Sequence, residues 1–197
     1  MGSKLLDKSK RRQEDMASIT DDSVTTETLR KLELRVFRQL DYSLQCLTSL
    51  QYLNAYLRAS RACPCRRCEY DHPVLRQMVM YLLCLARLPS GLMDERPSMV
   101  VAAALYLARA TLGIEDSQTP AYPYKYWSRT LQYYTEYSVS DLCRSVLLIY
   151  NYQLQAGELG RGPFDKYKVE SCLKVSLIAA RRLEDLQFSD IGNCNNG

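Results

Sequence analysis

The sequence predicts an all-α protein, and three observations carry that expectation. Gly and Pro number only 8 and 7 among 197 residues, about 8% against a usual ~12%, too few punctuating residues for a many-turned sandwich or barrel. Apolar side chains recur with helical spacing along most of the chain. One run, Met99 to Ala108, is apolar at ten consecutive positions and small at several of them, the composition of a helix buried on every face. The 47% hydrophobic and 24% charged fractions suit a chain that forms one core without staples, and they argue against a wholly disordered or collagen-like sequence.

Taken in order, the elements follow from local chemistry. Thr25 is suited to cap a helix over Thr26 to Leu40, with Glu27 in the first turn where the helix dipole favours an anion. Leu29, Leu32, Val36, Phe37 and Leu40 share one face of it. Thr48 is the candidate cap of a second helix that ends near Ala59, with Leu50, Leu53 and Leu57 expected inward. A polar connector rich in Cys and Arg, Arg61 to Asp71, leads to Asp71-His72-Pro73, which opens a third helix because Pro fits a first turn. Its expected buried stripe is Val74, Met78, Tyr81, Leu82 and Leu85.

Pro89 and Gly91 then break the period. Pro97 begins the central helix, Ser98 to Leu112, closed by Gly113 where left-handed geometry is usual. Ile114 to Tyr126, with Pro120 and Pro123, reads as a loop, and Trp127 to Tyr134 as a short helix. Ser138 and Asp141 form a capping box for a further helix running to Ala156, with Leu142, Val146 and Ile149 inward. Val169 to Leu186 has helical composition without a clear cap, and Gly192 to Gly197 reads as a disordered end.

The charge pattern narrows the function. The net charge of +4 resides in Met1 to Gln13, and the rest of the chain balances to zero. Such a chain lacks the positive face that phosphate neutralisation demands, which weighs against a nucleic-acid partner. No apolar run approaches the ~20 residues of a membrane span. Met1 to Gln13 also lacks the apolar stretch of a secretory signal, so the eight cysteines are expected to be reduced thiols.

With a single histidine, His72, and no Gly-rich phosphate cradle, nucleophile elbow or His-Glu-x-x-His helix, the chain is read as a non-enzyme. No catalytic residue, cofactor or small-molecule substrate is assigned. Cys63, Cys65, Cys68 and His72 have ligand chemistry that suits zinc. Cys-x-Cys leaves little backbone to turn between ligands, however, and no second pair returns from a distant element. The cluster is therefore read as an exposed loop rather than a metal site. Tyr122, Tyr124, Tyr126, Trp127, Tyr133, Tyr134 and Tyr137 are read as rings that clamp a loop onto the bundle, since only Lys125 and Arg129 supply interleaved charge for base stacking.

In their order, these segments resemble the second half of an A/B-type, mitotic cyclin. Ser18-Ile19-Thr20-Asp21-Asp22 leading to Leu29-Arg30-Lys31-Leu32-Glu33 is similar to the end of the family's first box. Pro97-Ser98-Met99 followed by Ala102-Ala103-Ala104-Leu105-Tyr106-Leu107-Ala108 is similar to the core helix of its second box. Leu131 to Leu142 resembles the next helix pair, and Lys166-Tyr167-Lys168 with Val175-Ser176-Leu177 the C-terminal signature.

The resemblance implies a five-helix cyclin box around a buried central helix, preceded by one helix of an incomplete first box. In those terms residues 1–13 are a disordered basic tail, 14–44 the remnant of the first box, 45–180 the C-terminal box and 181–197 a mostly disordered tail. The first four helices of the first box have no counterpart before Glu14.

The implied role is that of a regulatory subunit in G2/M-type cell-cycle control, in nucleus and cytoplasm, whose partner is a cyclin-dependent serine/threonine kinase. Such a partner favours the kinase state in which the catalytic lysine and the C-helix glutamate are paired, and it acts only through differential affinity. Glu33 stands at the family position that meets the kinase, with Phe37, Tyr42 and Leu44 at apolar contact positions. The alternative is a cyclin-fold interaction scaffold that activates no kinase, and a third reading, a DNA-bound cyclin fold of the general-transcription type, is opposed by the balanced charge.

Overall fold

The computed structural model describes residue 19 and residues 23–44, 47–61, 73–115, 125–159 and 161–186. Among these, the chain forms seven α-helices and four short 3-10 turns, with no strand. Contacts cluster into two units, residues 1–46 and 47–197.

The first unit is built on α1, Thr26–Gln39. The Thr25 hydroxyl accepts from the Thr28 N–H at 3.3 Å, as the expected cap should. Glu27 and Lys31 pair at 2.9 Å along the exposed surface. No residue of α1 is buried, and Leu32, Val36 and Leu40 of its apolar face are exposed. Of the face that periodicity predicts, only Leu29 and Phe37 are half-buried, and the half-buried side of the helix continues instead through Thr26 and Glu33.

In the second unit, α2 is Ser49–Arg61, α3 Pro73–Leu85, α4 Pro97–Leu112, α5 Arg129–Thr135, α6 Val139–Leu154 and α7 Arg161–Tyr167. Every residue of α4 from Val101 to Thr111 is buried. Small side chains at Ala102, Ala103 and Ala104 let neighbouring helices approach closely, and α2, α3 and α6 all pack on α4. Gly113 ends it at φ +68°, a left-handed conformation that costs a side-chain-bearing residue about 1 kcal/mol or more. The all-helical bundle around a buried axis is as expected.

The stripes on the flanking helices follow the sequence with two changes, one of them Val74 in the first turn of α3, which is only half-buried. Met78, Tyr81, Leu82 and Leu85 of α3 are buried, as are Leu53 and Leu57 of α2. Leu50 is instead exposed, because it sits in the first turn of α2, at the edge of a groove. Arg76 ties the two helices by donating from Nη1 to Asn54 Oδ1 at 2.9 Å. The capping box of α6 is formed, with Asp141 accepting from the Ser138 N–H at 2.8 Å.

Three expectations need correction. The short helix begins at Arg129 rather than Trp127, because the Ser128 hydroxyl caps it by accepting from the Leu131 N–H at 3.1 Å. A helix over Val169 to Leu186 does not form. Leu173 and Lys174 take positive φ values of 57° and 52°, and the stretch becomes three 3-10 turns, while α7 forms upstream with Pro163 tolerated in its first turn. Cys143 is disulfide-bonded, so not all cysteines are free thiols as expected, although Cys84 and Cys172 are. Composition does not report the sulfur separation that decides pairing.

The packed unit reaches Leu186, past residue 180. Leu186 is buried, and its carbonyl accepts from the Tyr106 hydroxyl at 2.8 Å; Tyr150 similarly donates to the Arg181 carbonyl at 2.8 Å. Of the aromatic segment, Tyr126 and Trp127 do pack onto the bundle, buried against Tyr106 with ring centroids 6.3 and 6.1 Å away. Tyr133 and Tyr134 are the exception: they are exposed and pack edge to face on one another. Tyr122, Tyr124 and the Cys63, Cys65, Cys68, His72 cluster lie outside the described residues.

Gln153 of α6 is buried, yet neither polar atom of its amide has a partner among the described residues. Replacing it with a similarly shaped apolar side chain removes that desolvation cost. Gln153→Met is expected to stabilise the protein by about 1 kcal/mol, read as a higher urea midpoint at unchanged slope.

Candidate functional site

The four residues singled out in the sequence lie on α1 and the turn after it. Glu33 and Phe37 are four residues apart on α1 and therefore share a face. Both are half-buried, and Glu33 is engaged with a neighbour rather than free. After α1 the chain reverses through Asp41 and Tyr42, which take φ values of 47° and 57°. The reversal lets the Tyr42 N–H donate to the Phe37 carbonyl at 2.9 Å. It also lays the Tyr42 ring on that of Phe37, with centroids 6.4 Å apart and planes inclined by 18°. Leu44, half-buried, lies two residues beyond.

The structure thus joins Phe37 and Tyr42 into one stacked platform, with Glu33 one turn back on the same helix. The sequence placed these residues near one another but did not show the reversal that stacks them. Around them are exposed Leu32, Leu34, Val36 and Leu40 and the cations Arg30, Lys31, Arg35 and Arg38. An aromatic platform with a carboxylate, bordered by apolar side chains, is equipped to bind another protein surface. Among the described residues it holds no nucleophile beside a base, so group transfer has no starting point there.

The decisive comparison concerns the second unit. The sequence signature described as "Cyclin, C-terminal domain" matches residues 47–181, which is most of the chain. The chain belongs to the cyclin family. Its similarity extends to Cyclin-A1-4 of Oryza sativa subsp. japonica, 29% identical over 132 residues, covering 66% of this cyclin and 33% of that protein. The G2/mitotic-specific cyclin-B of Drosophila melanogaster is 27% identical over 164 residues, covering 83% of this cyclin and 29% of the relative. Cyclin-A2-3 of Arabidopsis thaliana is 28% identical over 179 residues, covering 89% and 36% respectively. The chain spans about a third of the length of these relatives. The likeness to A- and B-type cyclins noted in the sequence is therefore established, at modest identity.

Sequence reasoning missed one feature of this cyclin's second unit, a groove lined by Met80, Leu83 and Arg87 together with residues of four other segments. The available signal was a second apolar stripe on α3. Met80 and Leu83, three residues apart, lie outside the buried stripe and end in a cation at Arg87.

Proposed function

We propose that this cyclin is the regulatory subunit of a cyclin-dependent serine/threonine kinase in G2/M-type control, acting in nucleus and cytoplasm, and that it activates the kinase by binding its active conformation. The observation that carries the reading is the α1 surface, an amphipathic helix with exposed Leu32, Val36 and Leu40 that carries Glu33 and the Phe37–Tyr42 stack in a chain with a cyclin C-terminal domain. Activation then comes from differential affinity. The cyclin supplies no group to ATP; it binds the state with the C-helix in place more tightly and so raises that state's population.

The test is a calorimetric titration against a purified mitotic cyclin-dependent kinase. Glu33→Ala combined with Phe37→Ala is expected to weaken binding at least about tenfold, with the helical circular dichroism unchanged because neither residue is fully buried and alanine favours a helix. Unchanged affinity removes these residues from the interface. A folded wild-type chain that binds no such kinase selects the alternative, a cyclin-fold scaffold.

A further inference from the structure

The groove of the second unit runs between the first turn of α2, the C-terminal half of α3, the segment leading into α4, and α7. It encloses about 630 Å³, within the ~300–1,000 Å³ of sites that hold a ligand of some size. Its floor and walls are apolar: Leu50, Met80, Leu83, Leu92, Met93 and Val100. Two of these are methionines, whose unbranched, polarisable side chains adapt to varied partners. Leu50 and Met93 are exposed, Met93 to 77%, so apolar surface stands in water along the open side.

Charge at the rim is mainly positive. Arg87 and Lys166 are exposed and line the groove. Lys166 lies 5.3 Å from the Tyr167 ring centroid, and neither cation is paired with a carboxylate among the described residues. The groove's one carboxylate, Glu95, lies 3.8 Å from Arg144, outside the groove lining, so among the lining residues cations outnumber carboxylates two to one. Deeper in, Cys84 is a free thiol 3.8 Å from the Tyr167 hydroxyl. Burial, with Cys84 adding to it, holds that hydroxyl well above the usual tyrosine range, so it is neutral and contributes no negative charge.

An apolar trough with a mainly positive edge selects for apolar side chains flanked by acids. We propose that this groove docks an acidic, leucine-bearing segment of a partner protein. It uses none of the α1 residues and does not depend on the kinase reading. The trough opens along one side and is assembled from several separate elements, which suits an elongated peptide better than a small molecule enclosed on all sides.

The test uses the full chain and two labelled synthetic peptides, one with two leucines flanked by glutamates, the other identical but with lysines in place of the glutamates. In fluorescence anisotropy the acidic peptide is expected to bind at least about tenfold more tightly, to weaken as salt is raised, and to protect Cys84 from alkylation. Arg87→Glu combined with Lys166→Glu, two exposed positions, is expected to reverse the preference without changing the circular dichroism. Met93→Asp is expected to weaken both peptides. Equal binding of the two peptides, a preference that survives the charge reversal, or absence of binding overturns the proposal. So does sedimentation showing that Met93→Asp instead dissolves a dimer, which would make a second copy of the chain the occupant.

Discussion

Trp127→Ala is expected to cost about 3–5 kcal/mol, the largest single-residue effect in the second unit. Trp127 is fully buried, packs its ring 6.1 Å from that of Tyr106, and donates from Nε1 to the Tyr137 carbonyl at 3.0 Å. Truncation removes the packed ring, opens a cavity beside the central helix and strips a carbonyl of its partner. A domain of this size has ~5–15 kcal/mol of stability, so the loss is a large share of the total. Trp127→Phe separates the contributions: it keeps most of the packing and loses the hydrogen bond, with an expected cost of about 1–2 kcal/mol. Since Trp127 is the chain's one tryptophan, the measurement is urea unfolding followed by circular dichroism. Equal midpoints for Trp127→Ala and wild type would show that the ring does not hold the loop to the bundle.

Arg109→Ala is expected to cost about 3 kcal/mol. Arg109 lies on α4 among apolar neighbours with only 4% of its surface exposed, and its Nε donates to the Tyr126 carbonyl at 2.8 Å. The substitution deletes a charge-assisted hydrogen bond and leaves unfilled the space of a long side chain. Arg109→Met restores much of the volume but not the donors, so its smaller expected cost, about 1–2 kcal/mol, measures the polar interactions of the guanidinium, the bond to the Tyr126 carbonyl among them. Identical unfolding midpoints for the two variants would mean that packing contributes nothing here; a wild-type midpoint for Arg109→Met would mean that the polar interactions of Arg109, the bond to Tyr126 included, do not stabilise the fold.

Both substitutions act on the join between α4 and the segment that carries Tyr126 and Trp127, and the two halves of that join differed in legibility. Clustered rings near a helix of alanines and leucines pointed to clamping, and Tyr106, Tyr126 and Trp127 do meet. Arg109 gave no such signal. Near the end of a helix a cation reads as a partner of the helix dipole, and only the path of the loop carbonyls shows that its Nε is spent on Tyr126.

The same division holds in the first unit. The Thr25 cap and the spacing of Glu33 and Phe37 are local properties, set within one or two turns of backbone, and were readable from residue order. The stack of Phe37 on Tyr42 depends on two successive non-glycine residues at positive φ, a conformation that propensity disfavours and that no pattern announces. Leu50 failed for a related reason. Its spacing with Leu53 and Leu57 is helical, but a first-turn position is covered only when another element passes over it, and here it borders a groove. In the C-terminal stretch, Gly162 and Pro163 disguised α7, whereas the smooth composition of Val169 to Leu186 concealed the left-handed pair Leu173 and Lys174.

By itself, the sequence determined the helical class, the buried axis from Pro97 to Leu112, the caps at Thr25 and Ser138, and membership of the cyclin family, because each depends on side chains a few positions apart or on a linear order of motifs. Tertiary structure alone decided which apolar faces found cover, where Arg109 and Trp127 spend their hydrogen bonds, and that Met80, Leu83, Arg87 and Lys166 converge on one trough. Burial and convergence are relations between segments distant along the chain, and free energy is gained or lost only where packing brings those segments into contact.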